Sequence, residues 1–395
     1  MLTFPSNHSK NIFISQHIHM KNIIFILTIC FFLISNVSCK KDEPLNITTV
    51  EELEQALKEE LRFEDLTSIS YCIVKNDKIL YSNAIGYADY ESNKLATDST
   101  RYLIASISKT ITGVALMQLV EQDLVSLEDD INEYLPFIVR NPIYPDEAIT
   151  FRMLLSHVSS ISDNNIFTYD LDCYGTDCPM SLDKFFKEVF LNGGDYYSSG
   201  NFNNKKPGTK EEYSNLGLAL LGYLVERISN TPFDVYCKNN IFTPLGMNKT
   251  EWRLSKTPLS ELAIPYSDEI PNMNNPHYTF PDYPNGGLRT NVIDLSKFLR
   301  VFIQEGSLNG IRILSTTGIK EMKKLQFGSS EQCLAFYYDE IDGRLVLGHN
   351  GGEKGVTTEM FYDPSTNVGV IVFNNDDDAD LLNILALLFS YGTNQ

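Results

Sequence analysis

Hydrophobic positions along this chain follow two periods and one uninterrupted block. Val50, Leu53, Leu57 and Leu61 recur at steps of three and four, which predicts an amphipathic helix from Val50 to Phe63. Thr49 and Glu52 can open it as a capping box. Ile69–Val74 and Ile79–Ile85 read as strands of a hairpin turning at Asn76-Asp77. Between Tyr102 and Leu124, Ile111, Val114, Ala115, Leu116, Leu119 and Val120 leave almost no polar face. A helix of that kind is buried in the middle of a domain. Ile149–Ser156, Leu182–Leu191 and Leu216–Ile228 are helical and separated by loops rich in Asn, Gly and Ser. After the helix Leu295–Ile303 come the strand-like runs Leu345–Leu347, Thr358–Tyr362 and Val368–Phe373, and the apolar helix Leu381–Phe389 closes the chain. Strands at both ends with helices between imply a discontinuous α/β domain, 46–148 with 291–395, and a mainly helical domain at 149–290. The active site is expected between them, where clefts commonly form.

The first 39 residues read as a leader. Met20-Lys21-Asn22 is a basic start, followed by an apolar core from Ile23 to Ile34 and then Ser35-Asn36-Val37-Ser38-Cys39. That core is too short to span a bilayer as a helix and suits a signal peptide. Met20 is a better start than Met1, since residues 1–19 add only an irregular extension. Ser38-Cys39 resembles a bacterial lipoprotein cleavage site, with Cys39 as the lipidated mature N-terminus. Asn36 stands where Leu is usual, and an ordinary cleaved secretory signal is the alternative. Either way the expectation is an exported protein. In the lipoprotein case it is held to the membrane of the bacterial cell envelope, on a periplasmic or outer-membrane face, by its N-terminal lipid.

A formal charge of −19 argues against nucleic acid or an anionic membrane surface as a partner. His157, His277 and His349, the histidines outside the leader, are far apart in sequence, and no paired-Cys or His-Glu-x-x-His spacing occurs. Neither a metal nor a cofactor is therefore expected. Gly-x-Ser-x-Gly, Gly-x-Gly-x-x-Gly and the P-loop are absent, which removes common rival readings. Cys173 and Cys178 are near enough for a small loop disulfide in an oxidising compartment. Cys72, Cys237 and Cys333 read as small buried apolar residues. The expected partner is a small-molecule or peptide substrate, and no protein partner is implied.

The chemistry gathers at the head of the buried helix. Ser-x-x-Lys occurs as Ser38–Lys41, Ser106–Lys109 and Ser181–Lys184. Ser38 falls in the leader and Ser181 reads as an N-cap, so only Ser106 precedes a buried helix. A hydroxyl one helical turn from an amine makes physical sense there as an activated nucleophile. Desolvation favours a neutral amine, which accepts a proton, and the positive end of the helix dipole favours negative charge on the serine oxygen. Tyr-x-Asn occurs as Tyr81–Asn83, Tyr213–Asn215 and Tyr283–Asn285. Tyr213 stands in a loop feeding a helix, where a phenol can take or relay the nucleophile's proton, and the Asn215 amide can hydrogen-bond a substrate carbonyl. His349-Asn350-Gly351-Gly352 follows a strand-like run, and its glycines would let a substrate backbone approach an open strand edge.

With these ordered motifs in view, the chain resembles the class C β-lactamase-related serine hydrolases, a family that includes D-stereospecific peptidases and esterases. The likeness runs from about Ile69 to Asn375 and includes Ile149-Thr-Phe-Arg-Met-Leu-Leu-Ser-His-Val-Ser-Ser-Ile, Asn240-Ile-Phe-Thr-Pro-Leu-Gly-Met-Asn-Lys-Thr and Gly286-Gly-Leu-Arg-Thr-Asn-Val-Ile-Asp-Leu. It implies a β-lactamase/transpeptidase-like fold of α/β (α+β) class, an antiparallel sheet flanked by helices with a helical insertion. By that resemblance Ser106 is the acylated nucleophile, and Lys109 and Tyr213 share the acid/base work. Asn215 orients substrate, His349 lines the edge strand, and the N–H groups of Ser106 and Gly352 form the oxyanion hole. His157 is expected to be structural. Three positions depart from the pattern. Ser160 stands where relatives usually have Gly, Gln122-Asp123 replaces Glu-Gly, and a Gly-rich turn reads Leu334-Ala-Phe-Tyr-Tyr.

The resemblance implies a hydrolase cleaving an amide or ester through an acyl-serine. β-Lactamases and penicillin-binding proteins usually carry Lys where this chain has His349. A neutral imidazole there offers little charge to a substrate carboxylate, so a peptidase or esterase is expected rather than an efficient β-lactamase. The alternatives are a true class C-type β-lactamase or penicillin-binding DD-peptidase, and a surface-binding lipoprotein without turnover.

Overall fold

The computed structural model describes residues 46–271 and 276–395. The Met20 start, the apolar core and Cys39 lie outside the described residues. Six helices matter for the site: α1 (Val50–Phe63), α2 (Ser108–Glu121), α3 (Leu182–Phe190), α4 (Asn215–Ser229), α5 (Val292–Ile303) and α6 (Leu382–Asn394). α1 starts at its capping box, with Thr49 Oγ1 accepting from Glu52 N and the Glu52 carboxylate accepting from Thr49 N. Ser181 caps α3 by accepting from Lys184 N.

The hairpin β1 (Ser68–Lys75) and β2 (Lys78–Asp89), with the short β3 (Lys94–Leu95), joins four strands from the far end of the chain. These are β4 (Tyr337–Ile341), β5 (Arg344–Glu353), β6 (Val356–Asp363) and β7 (Val368–Asn374). Together they form one antiparallel seven-stranded sheet in the order β4-β5-β6-β7-β1-β2-β3. The two ends of the chain meet where Ile69 pairs with Asn374 and Val74 with Gly369. β1 and β7 are covered on both faces, which explains why they read as apolar runs and not as alternation. Ile69, Tyr71, Ile73, Val370 and Val372 pack with α1 and α6 residues such as Leu53, Leu385 and Phe389. On the other face, Cys72, Val74, Ile371 and Phe373 join a larger core that takes in α2, α4 and α5.

Two local expectations need correction. Residues Leu334–Tyr338, expected as a turn, lead directly into β4, an edge strand whose Asp339 and Glu340 are exposed. Charges on an edge strand discourage pairing with other chains, and they also hide the strand from an apolar pattern. The helix expected over Ile149–Ser156 is confined to Phe151–Leu155, because Thr150 is its N-cap and Ser156 its C-cap. Asp123, Ser160 and Ala335, at the three departures from the family pattern, have φ of 55°, 66° and 57°. Each stands in the left-handed region that glycine adopts most easily, so the loop shapes are kept without the glycines. Among the described residues no helix is long and apolar enough to cross a membrane.

Candidate active site

Ser106 sits in a short 3-10 turn, Ala105–Ile107, that runs straight into α2. Ala105 has φ 45°, a left-handed conformation that costs about 1–3 kcal/mol outside glycine and that surrounding contacts must hold. The contacts come from the strap at residues 284–288 and from the sheet. Ser108 Oγ accepts from Leu288 N (3.1 Å), Thr112 Oγ1 donates to Pro284 O (2.7 Å), and Thr358 Oγ1 donates to Ile104 O (3.0 Å).

Lys109, one turn further along, is fully buried. Its Nζ donates to Ser106 Oγ at 2.9 Å and to Asn285 O at 2.8 Å. Tyr213 reaches the serine from the helical side of the site, its hydroxyl donating to Ser106 Oγ at 2.9 Å. Lys109 Nζ also lies 4.9 Å from the centre of the Tyr213 ring. Three side chains drawn from residues 106, 109 and 213 thus converge on one oxygen. Serine hydroxyl, amine and phenol in mutual contact can pass one proton among them, which is what activating a serine requires.

Asn215 is the first residue of α4 and lines the cleft beside the serine. His349 is buried in β5, not after a strand, and its Nδ1 lies 2.6 Å from Asn350 O. Burial, and then the nearby Lys109 charge, push its pKa down to about 3, so it is neutral at pH 7. β4 pairs with β5 only as far as Gly348, which leaves the edge from His349 onward facing the Ala105–Ile107 turn. A Cβ on Gly351 would stand 2.6 Å from Ile104 O and 3.0 Å from Ser106 N, so only glycine lets the edge come this close. Gly352 has open space around its Cα and lines the cleft.

The cleft itself measures about 770 Å³ and continues from Asn215, Asn285 and Gly352 along the loop 166–172. Among the described residues its lining is acidic: Asp170, Asp172, Glu269, Asp282, Glu353, Asp377 and Asp378 against the base Lys354, which is paired with Asp172 at 2.7 Å. Loss of water raises the Asp282 pKa to about 6 and, with Asp172 and Asp282 nearby, the Glu353 pKa to about 7. Phe167 and Tyr169 supply exposed aromatic surface at the rim. Cys173 and Cys178 are joined as a disulfide at the base of this loop, while Cys72, Cys237 and Cys333 are free and buried.

Several contributors were not singled out from the sequence. Asn285 holds the amine through its carbonyl, and its own signal was the third Tyr-x-Asn, followed by two glycines. Glu353 adjoins Gly352 and Asp282 precedes that Tyr-x-Asn by one residue, but nothing in the spacing distinguished either from ordinary solvated acids. His157 and Asp163 flank a buried loop that contacts Tyr213 and its neighbours.

The sequence profile of the Beta-lactamase family matches residues 53–388. The chain belongs to the Beta-lactamase family. Its fold is accordingly β-lactamase/transpeptidase-like, and the family is one of serine hydrolases. Protein flp of Staphylococcus aureus (strain N315) is 25% identical over 337 residues, covering 82% of this chain and 63% of that protein. The chain therefore spans less than two thirds of the length of that curated relative. Among solved structures, the D-amino acid amidase of Ochrobactrum anthropi SV3 superposes with a TM-score of 0.69 at 20% identity, covering 86% of this chain and 98% of the other. The octameric penicillin-binding protein homologue of Pyrococcus abyssi gives 0.65 at 24% identity, covering 86% and 76%.

Proposed function

We propose that this β-lactamase-family hydrolase cleaves amides or esters through an acyl-serine formed on Ser106, acting as a peptidase or esterase and not as an efficient β-lactamase. The observation that carries the proposal is the pair of 2.9 Å contacts that Lys109 and Tyr213 make with Ser106 Oγ. In the acylation step one of these partners, in its deprotonated form, takes the serine proton as Oγ attacks the substrate carbonyl. The N–H groups of Ser106 and Gly352 receive the oxyanion, and the proton then passes to the leaving group. Water repeats the sequence to release the acid.

The substrate side rests on charge. His349 is neutral, Lys109 is engaged with Ser106 and Asn285, and the cleft beyond them is lined by carboxylates. Among the described residues of the cleft, a substrate carboxylate finds no free cation. Losing a charge-assisted hydrogen bond to an anion costs about 1.5–3 kcal/mol, roughly ten- to a hundredfold in binding. Neutral esters, and aminoacyl amides whose ammonium suits an acidic cleft, are the better fit. The fold similarity to a D-amino acid amidase agrees with the amide class. The test compares a short-chain nitrophenyl ester, a D-aminoacyl amide and a chromogenic cephalosporin at pH 7, alongside fluorophosphonate labelling. Efficient cephalosporin turnover with negligible ester and amide cleavage would make the protein a β-lactamase. Absence of label on the folded protein would leave only a binding role. Export with a lipid on Cys39 belongs to the same proposal. Cys39→Ser is expected to abolish lipidation and free the protein from membranes, and membrane retention of that variant would refute the anchor.

A further inference from the structure

We propose that His157 is a positioning residue for catalysis, holding Tyr213 against Ser106 through both its ring and its backbone. This rests on the acyl-serine reading above, and adds the group that sets its geometry. Tyr213 is 46% exposed, so its own burial does little to fix the phenol. His157 supplies the missing constraint. Its ring stacks on the Tyr213 ring with centroids 4.4 Å apart and planes 30° from parallel. Its Nδ1 accepts from Ser214 N at 3.1 Å, and its carbonyl accepts from Glu212 N at 2.7 Å. The residues on either side of the tyrosine are thus tied to one histidine.

The histidine is itself held firmly. It is 3% exposed and stands at φ 57°, in a loop buried from Leu154 to Asp163. Two residues beyond the tyrosine, Asp163 takes over, accepting from Asn215 N (2.6 Å), Ser214 Oγ (2.9 Å) and Leu216 N (3.0 Å). An Nδ1 that accepts a hydrogen bond requires the neutral, Nε2-protonated imidazole. Burial, reinforced by the charge of Lys109, holds the His157 pKa well below its ordinary value and keeps it in that form. Neutrality has a catalytic consequence: the imidazole adds no charge of its own beside the phenol.

The experiment measures the rate of fluorophosphonate labelling of Ser106, and kcat and KM on a nitrophenyl ester, in the full chain and in His157→Asn. Asparagine tolerates a left-handed backbone well, so the loop is preserved while the stacking ring is lost. Labelling and kcat are expected to fall roughly ten- to a hundredfold, the loss typical of a misplaced catalytic group, with KM within about twofold. In a Tyr213→Phe background the same substitution should cause no further loss, because the hydroxyl it positions is already gone. An unchanged kcat, or an equal loss in both backgrounds, would overturn the positioning role. Should His157→Asn not fold, His157→Gln read in the same cycle decides between these outcomes. Failure of the wild-type protein to label would instead overturn the acyl-serine reading, so the two failures are told apart.

Discussion

The site has two walls built on opposite principles. The wall that carries the proposed chemistry is dry behind Ser106 and Tyr213, which alone reach solvent among its named residues: Lys109, His157 and His349 are buried, both imidazoles are neutral, and their partners are backbone groups or each other's neighbours. The wall that faces substrate is wet and acidic, and it is built from the loop 166–172, the Glu353–Lys354 turn and Asp377–Asp378. Low dielectric on the first wall makes every misplaced charge or hydrogen bond expensive, so its residues are tightly constrained. Solvent screens the exposed carboxylates of the second, Asp170, Asp377 and Asp378, so they can change singly and alter selectivity without disturbing the fold, while Glu353 is partly buried and feels Asp172 and Asp282. On the proposed function, reaction type belongs to the first wall and substrate choice to the second.

The largest effects belong to the dry wall. Ser106→Ala is expected to abolish labelling and lower turnover by several orders of magnitude while leaving the melting temperature nearly unchanged, since Ser106 is only partly buried. Lys109→Ala should remove most of the activity too, with Tyr213 sustaining a remnant, and it should also destabilise the protein by leaving a cavity in α2. Residual burst kinetics in Ser106→Ala, or near-wild-type rates in Lys109→Ala, would show that the nucleophile or its base is elsewhere.

A moderate effect is expected from the wet wall, and only for charged substrates. Glu353 lies next to Gly352, with a pKa of about 7, so its negative charge develops as pH rises through neutrality. Below that the carboxyl is protonated and offers an ammonium only a neutral partner. KM for an aminoacyl amide should therefore fall from about pH 6 to a minimum near pH 7.5 and rise again as the substrate's own ammonium, with a pKa of about 7.7–8, loses its proton, while KM for a neutral ester stays flat. Glu353→Gln should raise the amide KM roughly three- to tenfold at pH 7.5, the worth of about 0.7–1.4 kcal/mol for a partly shielded and incompletely charged pair. Equal changes for ester and amide would break the distinction between the two walls.

The dry wall was also the wall that could be read from the sequence. A helix apolar on all sides announces its own burial, so the Ser106–Lys109 pair at its head stood out from the two other Ser-x-x-Lys matches. The central strands β1 and β7 were legible for the same reason. β4 was not, because Asp339 and Glu340 face solvent at the sheet edge and break the apolar pattern. Asp282 and Glu353 looked like ordinary surface acids, since only folding brings residues so far apart into one cleft. His157 was read as structural, and its contact with Tyr213 depends on a left-handed turn that no spacing rule reports.

The smallest expected effect lies outside both walls and serves as their control. α2 ends at Glu121, with Gln122 as its C-cap and Asp123 beyond it at φ 55°. Asp123 N bonds to Val120 O at 3.0 Å and Leu124 N to Leu119 O at 3.1 Å, closing the helix in the manner that glycine usually serves at this position. An aspartate there carries the strain of a left-handed backbone and places a negative charge at the negative end of the helix dipole. Asp123→Gly removes both, against the greater freedom that glycine gives the unfolded chain, worth about 0.4–1 kcal/mol. The net gain should be about 0.5–1 kcal/mol, or about 1–3 °C in melting temperature for a chain of this size. The substitution is about 25 Å from Ser106 along the helix, at about 1.5 Å per residue, so kcat and KM should not move. A fall in melting temperature would mean that the aspartate makes a stabilising contact greater than its backbone strain. A change in kcat would mean that the far end of α2 is coupled to the dry wall, and that stability and chemistry are not separable along this helix.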